Sequence, residues 1–375
     1  MTSLAIYRKY RPASFEDVVG QEIIVQILRE AARQDKLAHA YLFAGPRGTG
    51  KTTTARLIAK IANCEKRNED EKFRAKGEPC NECAVCRAID DGQSLDVIEI
   101  DAASNRGIDE IRNLKESVRV SPASSRFKVF IVDEAHMLTK DAWNALLKTL
   151  EEPPAYIIII LATTEIEKVP ATISSRTQKF HFKRATREQI VQKLKKIIRE
   201  EKINIDREAL DLTASSAEGS FRDAESLLDQ LISFGNDKNI TLTEVESMIG
   251  KVGFDKLSAF AGLVLRGETD KALKTLSEIE DGGFNLVQFT KDLIQYLRRV
   301  AVLKTSPEME SAFRNELMED HLEMIKSHAK LFNDKKHLEL LKALINAFGQ
   351  MRYSQFPIIP LEVALVQKTG ALSAD

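Results

Sequence analysis

The octapeptide Gly45-Pro46-Arg47-Gly48-Thr49-Gly50-Lys51-Thr52 fits the pattern G-x-x-x-x-G-K-[ST] at each fixed position. An apolar run, Ala40–Ala44, precedes it, and a helix-like run, Thr53–Ile61, follows. A strand that turns through glycines into a helix start aims several backbone N–H groups, and the positive end of the helix dipole, at one point. The glycines let the backbone close on a polyphosphate, Lys51 reaches the terminal phosphates, and Thr52 offers a hydroxyl to Mg²⁺. A chance glycine-rich turn, the alternative, would have to supply the whole pattern in strand–turn–helix context.

A second set of residues suits hydrolysis. Phe127-Lys128-Val129-Phe130-Ile131-Val132 ends in Asp133-Glu134, which places two carboxylates at the C-terminal edge of a central parallel strand, where ligands bind in open α/β sheets. Asp133 is expected in the Mg²⁺ shell and Glu134 against the attacking water. The next strand, Tyr156–Ala162, ends in Thr163-Thr164, polar side chains within reach of a γ-phosphate or the lytic water. Arg176 follows a short segment opened by Pro170 and has no task in its own chain's site, which leaves it available to a neighbour. Arg222 opens a helix at the corner Glu218–Asp223. It points back to phosphates or forms a surface salt bridge.

Cys64 and the run Cys80-x-x-Cys83-x-x-Cys86 are the four cysteines of the chain. Tetrahedral zinc takes four thiolates, and two tight C-x-x-C turns present three of them. The long gap before Cys80 is the weak element of the pattern. An Fe–S cluster is the rival ligand set, and unliganded cysteines are the plain alternative.

These residues need elements to position them. A helix is expected over 21–34, strands over 40–44, 96–101, 127–132 and 156–162, a last strand at Phe180–Phe182, and helices over 108–118 and 142–150. The turn before 108, Ser104-Asn105-Arg106, suits a phosphate or an ordinary helix cap, and Arg106 is a candidate for a DNA phosphate. The basic-aromatic segment Tyr7–Pro12 is either an exposed arm or a cover over the nucleotide's base and ribose. From 186 the texture becomes helical: 186–201, 206–218, 221–234, 241–249, then amphipathic helices through 255–368 without a motif for chemistry. The 375 residues divide on this pattern into 1–183, 184–250 and 251–375. Lys+Arg and Asp+Glu, 55 against 56, nearly cancel, so nucleic-acid contact must come from a local patch. No signal-peptide pattern or membrane-length apolar run is present, and a cytoplasmic protein is expected.

Together these residues resemble the gamma/tau subunit family of the bacterial DNA polymerase III clamp loader, within the AAA+ ATPase class. The resemblance rests on Tyr10-Arg11-Pro12 with Phe15–Glu22, His39–Phe43, Ile98–Ser104, Asn144–Pro154, Leu161–Thr164, Gly219–Ala224 and Pro360–Leu365, and runs over nearly the whole chain. It implies an α/β AAA+ P-loop core, a parallel sheet flanked by helices, with an inserted zinc module, a small helical lid domain and an all-α collar domain. Lys51 and Thr52 correspond to Walker A, Asp133 and Glu134 to Walker B, Thr164 to sensor 1 and Arg222 to sensor 2. Arg176 corresponds to an arginine finger acting on the adjacent subunit, and Val18 and Val19 to the adenine pocket. Cys64, Cys80, Cys83 and Cys86 correspond to the family's structural zinc site. ATP, Mg²⁺ and Zn²⁺ are the implied small molecules. The implied partners are other loader subunits, copies of this chain, the sliding clamp and primer–template DNA held by its phosphates; no membrane contact is expected. Two departures stand out: Thr177 replaces the family's cysteine after Arg176, and the cysteine spacing is longer than usual. The end soon after the collar is like the short gamma form, and a shortened piece of a longer tau form would look the same. A AAA+ branch-migration or helicase-loading motor, and a non-hydrolysing scaffold subunit, are the rival functions.

Overall fold

The structure, a computed structural model, describes residues 5–104, 116–234, 239–314 and 317–369. Arg106 and most of the helix expected over 108–118 lie outside them. The chain divides into two compact units, one of residues up to Ala185 with Ala217–Asp229, the other of Thr186–Ser216 with the residues from Gln230 on.

The first unit is built on five strands, Ala40–Ala44 (β1), Val97–Asp101 (β2), Lys128–Asp133 (β3), Ile157–Thr163 (β4) and Gln178–His181 (β5). They form one parallel sheet in the order β2-β3-β4-β1-β5. The two central runs show why: Val129–Val132 and Ile157–Ala162 are apolar, largely β-branched and buried on both faces, as a parallel sheet covered by helices requires. Tyr41, Phe43, Val129, Ile131, Ile158 and Ile160 point to one face, where they meet Leu28 of helix α1 (Glu22–Arg33) and Ile58 of α2 (Lys51–Asn63). Leu42, Phe130, Val132, Ile159 and Leu161 point to the other. After the short α3 (Ala84–Asp90), helix α4 (Lys140–Glu151) covers that second face with Trp143 and Leu146. Burying each of these large side chains contributes roughly 1.5–3 kcal/mol.

Strand β2 differs from expectation. The run Asp96–Asp101 reads as a buried strand, yet β2 is the sheet edge, with Glu99 and Asp101 exposed. The other expected strands are present within one or two residues.

The second unit is helical. Helix α5 (Arg187–Glu201) opens on a capping box in which Thr186 and Gln189 satisfy each other's backbone N–H groups, and α6 (Arg207–Ser216) follows. Helix α7 (Phe221–Phe234) starts in the first unit, and α8 (Leu242–Ile249) has a second capping box, Thr241 with Glu244. A bundle then runs through α9 (Phe254–Leu265), α10 (Thr269–Asp281), α11 (Leu286–Thr305), α12 (Glu319–Leu331), α13 (Asp334–Met351) and α14 (Ile358–Thr369). On α11 the buried residues Phe289, Leu293, Tyr296, Leu297, Val300 and Leu303 recur at helical spacing and meet Phe260, Leu340, Leu344 and Leu361. No helix among the described residues is long and apolar enough to cross a membrane.

Candidate active site and metal centre

The octapeptide lies at the C-terminal edge of the sheet. β1 ends at Ala44 opposite Thr163, and the next residue, Gly45, donates its N–H to the Thr163 carbonyl at 3.1 Å. Gly48 has φ +72°, and Gly50, with φ +99°, caps α2 in a left-handed conformation. A Cβ at Gly48 would lie 1.9 Å from Ser220 Oγ, so glycine is required there for two reasons. Lys51 is buried, and its ammonium donates to the carbonyls of Gly45 and Pro46, both at 2.8 Å. The third ammonium proton suits a phosphate oxygen. Burial pushes the Lys51 pKa down, against the pull of Asp133 and Glu134. Thr49 ties the turn through its hydroxyl to the Pro46 carbonyl at 2.8 Å, and Arg47 is exposed.

Across the edge, the Thr52 hydroxyl donates to Asp133 Oδ2 at 2.7 Å, although 81 positions separate them. A hydroxyl and a carboxylate oxygen side by side are the hard donors that Mg²⁺ selects, so this pair fits the ion. Glu134 follows with φ +47°, its N–H on Asp133 Oδ1 at 2.9 Å. The left-handed turn is uncommon for glutamate and frees the side chain from the strand direction. Its Oε2 accepts from the Thr164 hydroxyl at 3.1 Å. Lys51, Thr52, Asp133, Glu134 and Thr164 are therefore one constellation.

The corner before α7 closes the loop from another side. The Phe221 N–H donates to the Gly48 carbonyl at 3.1 Å, and the Arg222 guanidinium lies 5.2 Å from the centre of the Tyr7 ring. Sequence singled out both the arginine and the Tyr7 segment but not their pairing. Arg11 of the same segment has its pKa pushed down by burial and by Arg56, with Glu99 opposing. Glu99 binds Arg56 at 2.7 Å. Arg8, Arg11, Arg56 and Arg222 thus lie close enough to act on one another at this corner. Val18, half-buried, packs against the sheet core, and Val19 beside it is also half-buried. Arg176 is not brought to the loop. It binds Glu151 at 2.6 Å and the Thr172 carbonyl at 2.8 Å. His136, which no motif singled out, is buried beside Glu134, 3.5 Å from its Oε2.

The four cysteines come together despite the gap, with sulfurs all within 4.8 Å of one another. Cys64 terminates the phosphate-loop helix α2, and Cys83 caps α3. Cys80 Sγ and Cys86 Sγ are 3.9 Å apart, close to the ~3.8 Å edge of a tetrahedron with Zn–S bonds of about 2.3 Å. That spacing leaves room for one ion and none for a cluster of several irons and sulfides. Backbone N–H groups point at the sulfurs: Cys80 to Cys64 at 3.4 Å, Cys83 to Cys80 at 3.3 Å and Cys86 to Cys83 at 3.4 Å. The Cys86 thiol, with the N–H groups of Arg67 and Cys80, holds Cys64 down at about 5. The same closeness pushes Cys86 up. Four thiolates coexist here only around a cation, and the donor set fits zinc.

The comparisons with known proteins agree along the chain. A family model described as DNA polymerase III, delta subunit, matches residues 20–186. The DNA polymerase III clamp loader subunit, ATPase lid domain, matches 189–237, and DNA polymerase III subunits gamma and tau domain III matches 240–374. DNA polymerase III subunit tau of Bacillus subtilis is 42% identical over 98% of this chain and 63% of its own length. Subunit gamma/tau of Mycoplasma pneumoniae is 43% identical over 82% of this chain and 45% of its own. Subunit gamma of Buchnera aphidicola is 36% identical over 96% of each. The chain thus spans about half to two thirds of the first two relatives. With three consecutive domain matches and a relative aligned nearly end to end, this chain belongs to the gamma/tau subunit family of DNA polymerase III.

Proposed function

We propose that the protein is an ATP-hydrolysing motor subunit of a DNA polymerase III clamp loader. The observation that carries this reading is the Thr52–Asp133 hydrogen bond with Glu134 and Thr164 joined beside it. A nucleotide-binding scaffold needs the loop and its lysine but has no use for a second carboxylate aimed by a threonine. The amides of Gly45–Thr52 and the Lys51 ammonium hold the phosphates. Thr52 and Asp133 hold Mg²⁺, which when bound neutralises charge on the phosphate oxygens. Glu134 accepts a proton from the attacking water, Thr164 orients that water, and Arg222 meets the phosphates from the α7 side. Val18 and Val19 face the base. The four cysteines hold structural zinc.

Arg176 serves the site of a neighbouring subunit, a role supported by its surface position and its separation from the loop of its own chain. Releasing it from Glu151 costs little, because an exposed ion pair contributes about 0–1 kcal/mol. The partners are other loader subunits and copies of this chain, a sliding clamp, and primer–template DNA gripped by phosphates. The division into a nucleotide-binding domain (1–183), lid (184–250) and collar (251–375), and a cytoplasmic location, belong to the same reading. ATP promotes the clamp-open state only through its higher affinity for that state.

The test is an ATPase assay on the assembled loader carrying Lys51→Ala, Arg176→Ala, or a mixture of the two subunits, with clamp and primed DNA. The mixed assembly should recover turnover that neither variant supports alone. Full activity of the Arg176→Ala assembly would exclude the trans role. Co-purification with a sliding clamp only when ATP is present separates this reading from a branch-migration or helicase-loading motor.

A further inference from the structure

The imidazole of His136 is tied into the hydrolytic crevice although the reading above gives it no work. Its side chain is 7% exposed. Nδ1 lies 3.1 Å from Thr163 Oγ1 and 3.5 Å from Glu134 Oε2, and Nε2 lies 3.2 Å from Glu165 Oε1. The Glu165 carboxylate only accepts, so Nε2 carries a hydrogen. Thr163 Oγ1 already accepts the Glu165 N–H at 3.0 Å, so its own hydroxyl proton can turn to Nδ1. Lys168 holds the other side of the Glu165 carboxylate, at 2.9 Å.

Thr163 is the junction. Its carbonyl accepts the N–H of Gly45, the first residue of the phosphate loop, and its neighbour Thr164 donates to Glu134. The Thr164 hydroxyl has one proton, and while it donates to Glu134 it cannot donate to a phosphate. Where Thr164 sits decides which of these it reaches, and Thr164 lies between the two residues His136 holds.

We infer that His136 is a positioning residue for ATP hydrolysis: by bonding Thr163 and Glu165 it sets the Thr164 hydroxyl and the Glu134 carboxylate relative to the phosphate loop. The inference rests on the ATPase reading. A histidine that only fills space would leave turnover insensitive to the nitrogen at Nδ1.

The assembled loader should be compared with His136→Phe, which keeps a flat ring without its nitrogens, and His136→Asn, whose amide reaches the Nδ1 position. His136→Phe should lower kcat at least about tenfold while ATP affinity stays within about threefold, as expected for a group that acts after binding. His136→Asn should recover most of that loss. Thr163→Val, which removes the same hydrogen bond from the other side, should match His136→Phe, and Thr163→Ser, which keeps the hydroxyl, should recover most of that loss; this pair decides the matter if His136→Phe does not fold. Unchanged turnover in His136→Phe or Thr163→Val, or equal losses in His136→Phe and His136→Asn, would overturn the inference. Absence of ATP hydrolysis by the unaltered loader, or full turnover by Glu134→Gln, would instead remove the ATPase reading on which it rests.

Discussion

Replacing Gly48 with alanine perturbs the loop in a way the structure quantifies. The new methyl would sit 1.9 Å from Ser220 Oγ and 2.9 Å from Ser220 Cβ, where carbon contacts need about 3.5–4.0 Å. The loop and the start of α7 would have to part, breaking the Phe221 N–H to Gly48 carbonyl bond. Holding a non-glycine residue at φ +72° costs about 1–2 kcal/mol. The lost hydrogen bond adds about 1 kcal/mol and the displaced packing about 1 kcal/mol or less after relaxation. A total of about 2–4 kcal/mol corresponds to roughly 30- to 700-fold if all of it falls on the nucleotide-competent loop. Isothermal titration with a non-hydrolysable ATP analogue, together with thermal unfolding, divides the cost between affinity and stability. Gly92 is the control: its φ is +70°, but nothing lies within 4 Å of its added Cβ. Gly92→Ala should lose about 1 kcal/mol of stability and no nucleotide affinity. Gly48→Ala with both affinity and melting temperature unchanged would refute the close approach of loop and α7.

Metal analysis should find about one zinc per chain, and Cys64→Ser should lower both metal content and melting temperature, since metal binding is linked to folding; retention of full metal content would remove Cys64 from the ligand set. Arg67 is fully buried and donates to the carbonyls of Ala32 and Ile61, at the ends of α1 and α2, so Arg67→Met should destabilise the protein by about 3 kcal/mol in denaturant unfolding, and a loss under about 1 kcal/mol would contradict the staple. Burial pushes His321, His328 and His337 below the ordinary histidine range. The unfolded chain then takes up protons that the folded bundle refuses, so this contribution is complete above about pH 6.5 and is lost as pH falls through the lower folded values. Melting temperature should fall as pH drops below about 6.5, and a triple His→Asn variant should show a flatter profile; equal slopes would contradict it.

Much of the site was legible because its parts are local patterns. The loop residues and their lysine are eight consecutive positions, and the carboxylates follow an apolar run whose burial on both faces is written in its composition. What sequence could not show depends on neighbours in the sheet. The run Val97–Asp101 looks like β3, but being an edge is a property of strand order, and that order leaves Glu99 free to meet Arg56. His136 has no spacing that marks it; it acquires partners only when β4 lies beside β3 and brings Thr163 to the same edge. Cys64 closes the cysteine set because Arg74 folds back on the carbonyls of Arg67 and Asn68, and Arg29 and the Phe15 N–H hold Lys76 and Glu78, which returns the chain to Cys80. The pairing of Arg222 with Tyr7 depends likewise on Phe221 docking on Gly48.

Glu134→Gln separates hydrolysis from binding, with ATP binding and single-turnover hydrolysis measured on the same assembled loader. The carboxylate is needed for the proton of the attacking water and not for holding the phosphates. The variant should bind ATP within about threefold of the unaltered protein and hydrolyse it at least about a hundredfold more slowly. Hydrolysis by Glu134→Gln at the unaltered rate would show that Glu134 is not the base, and failure of the unaltered protein to bind ATP would exclude an ATPase.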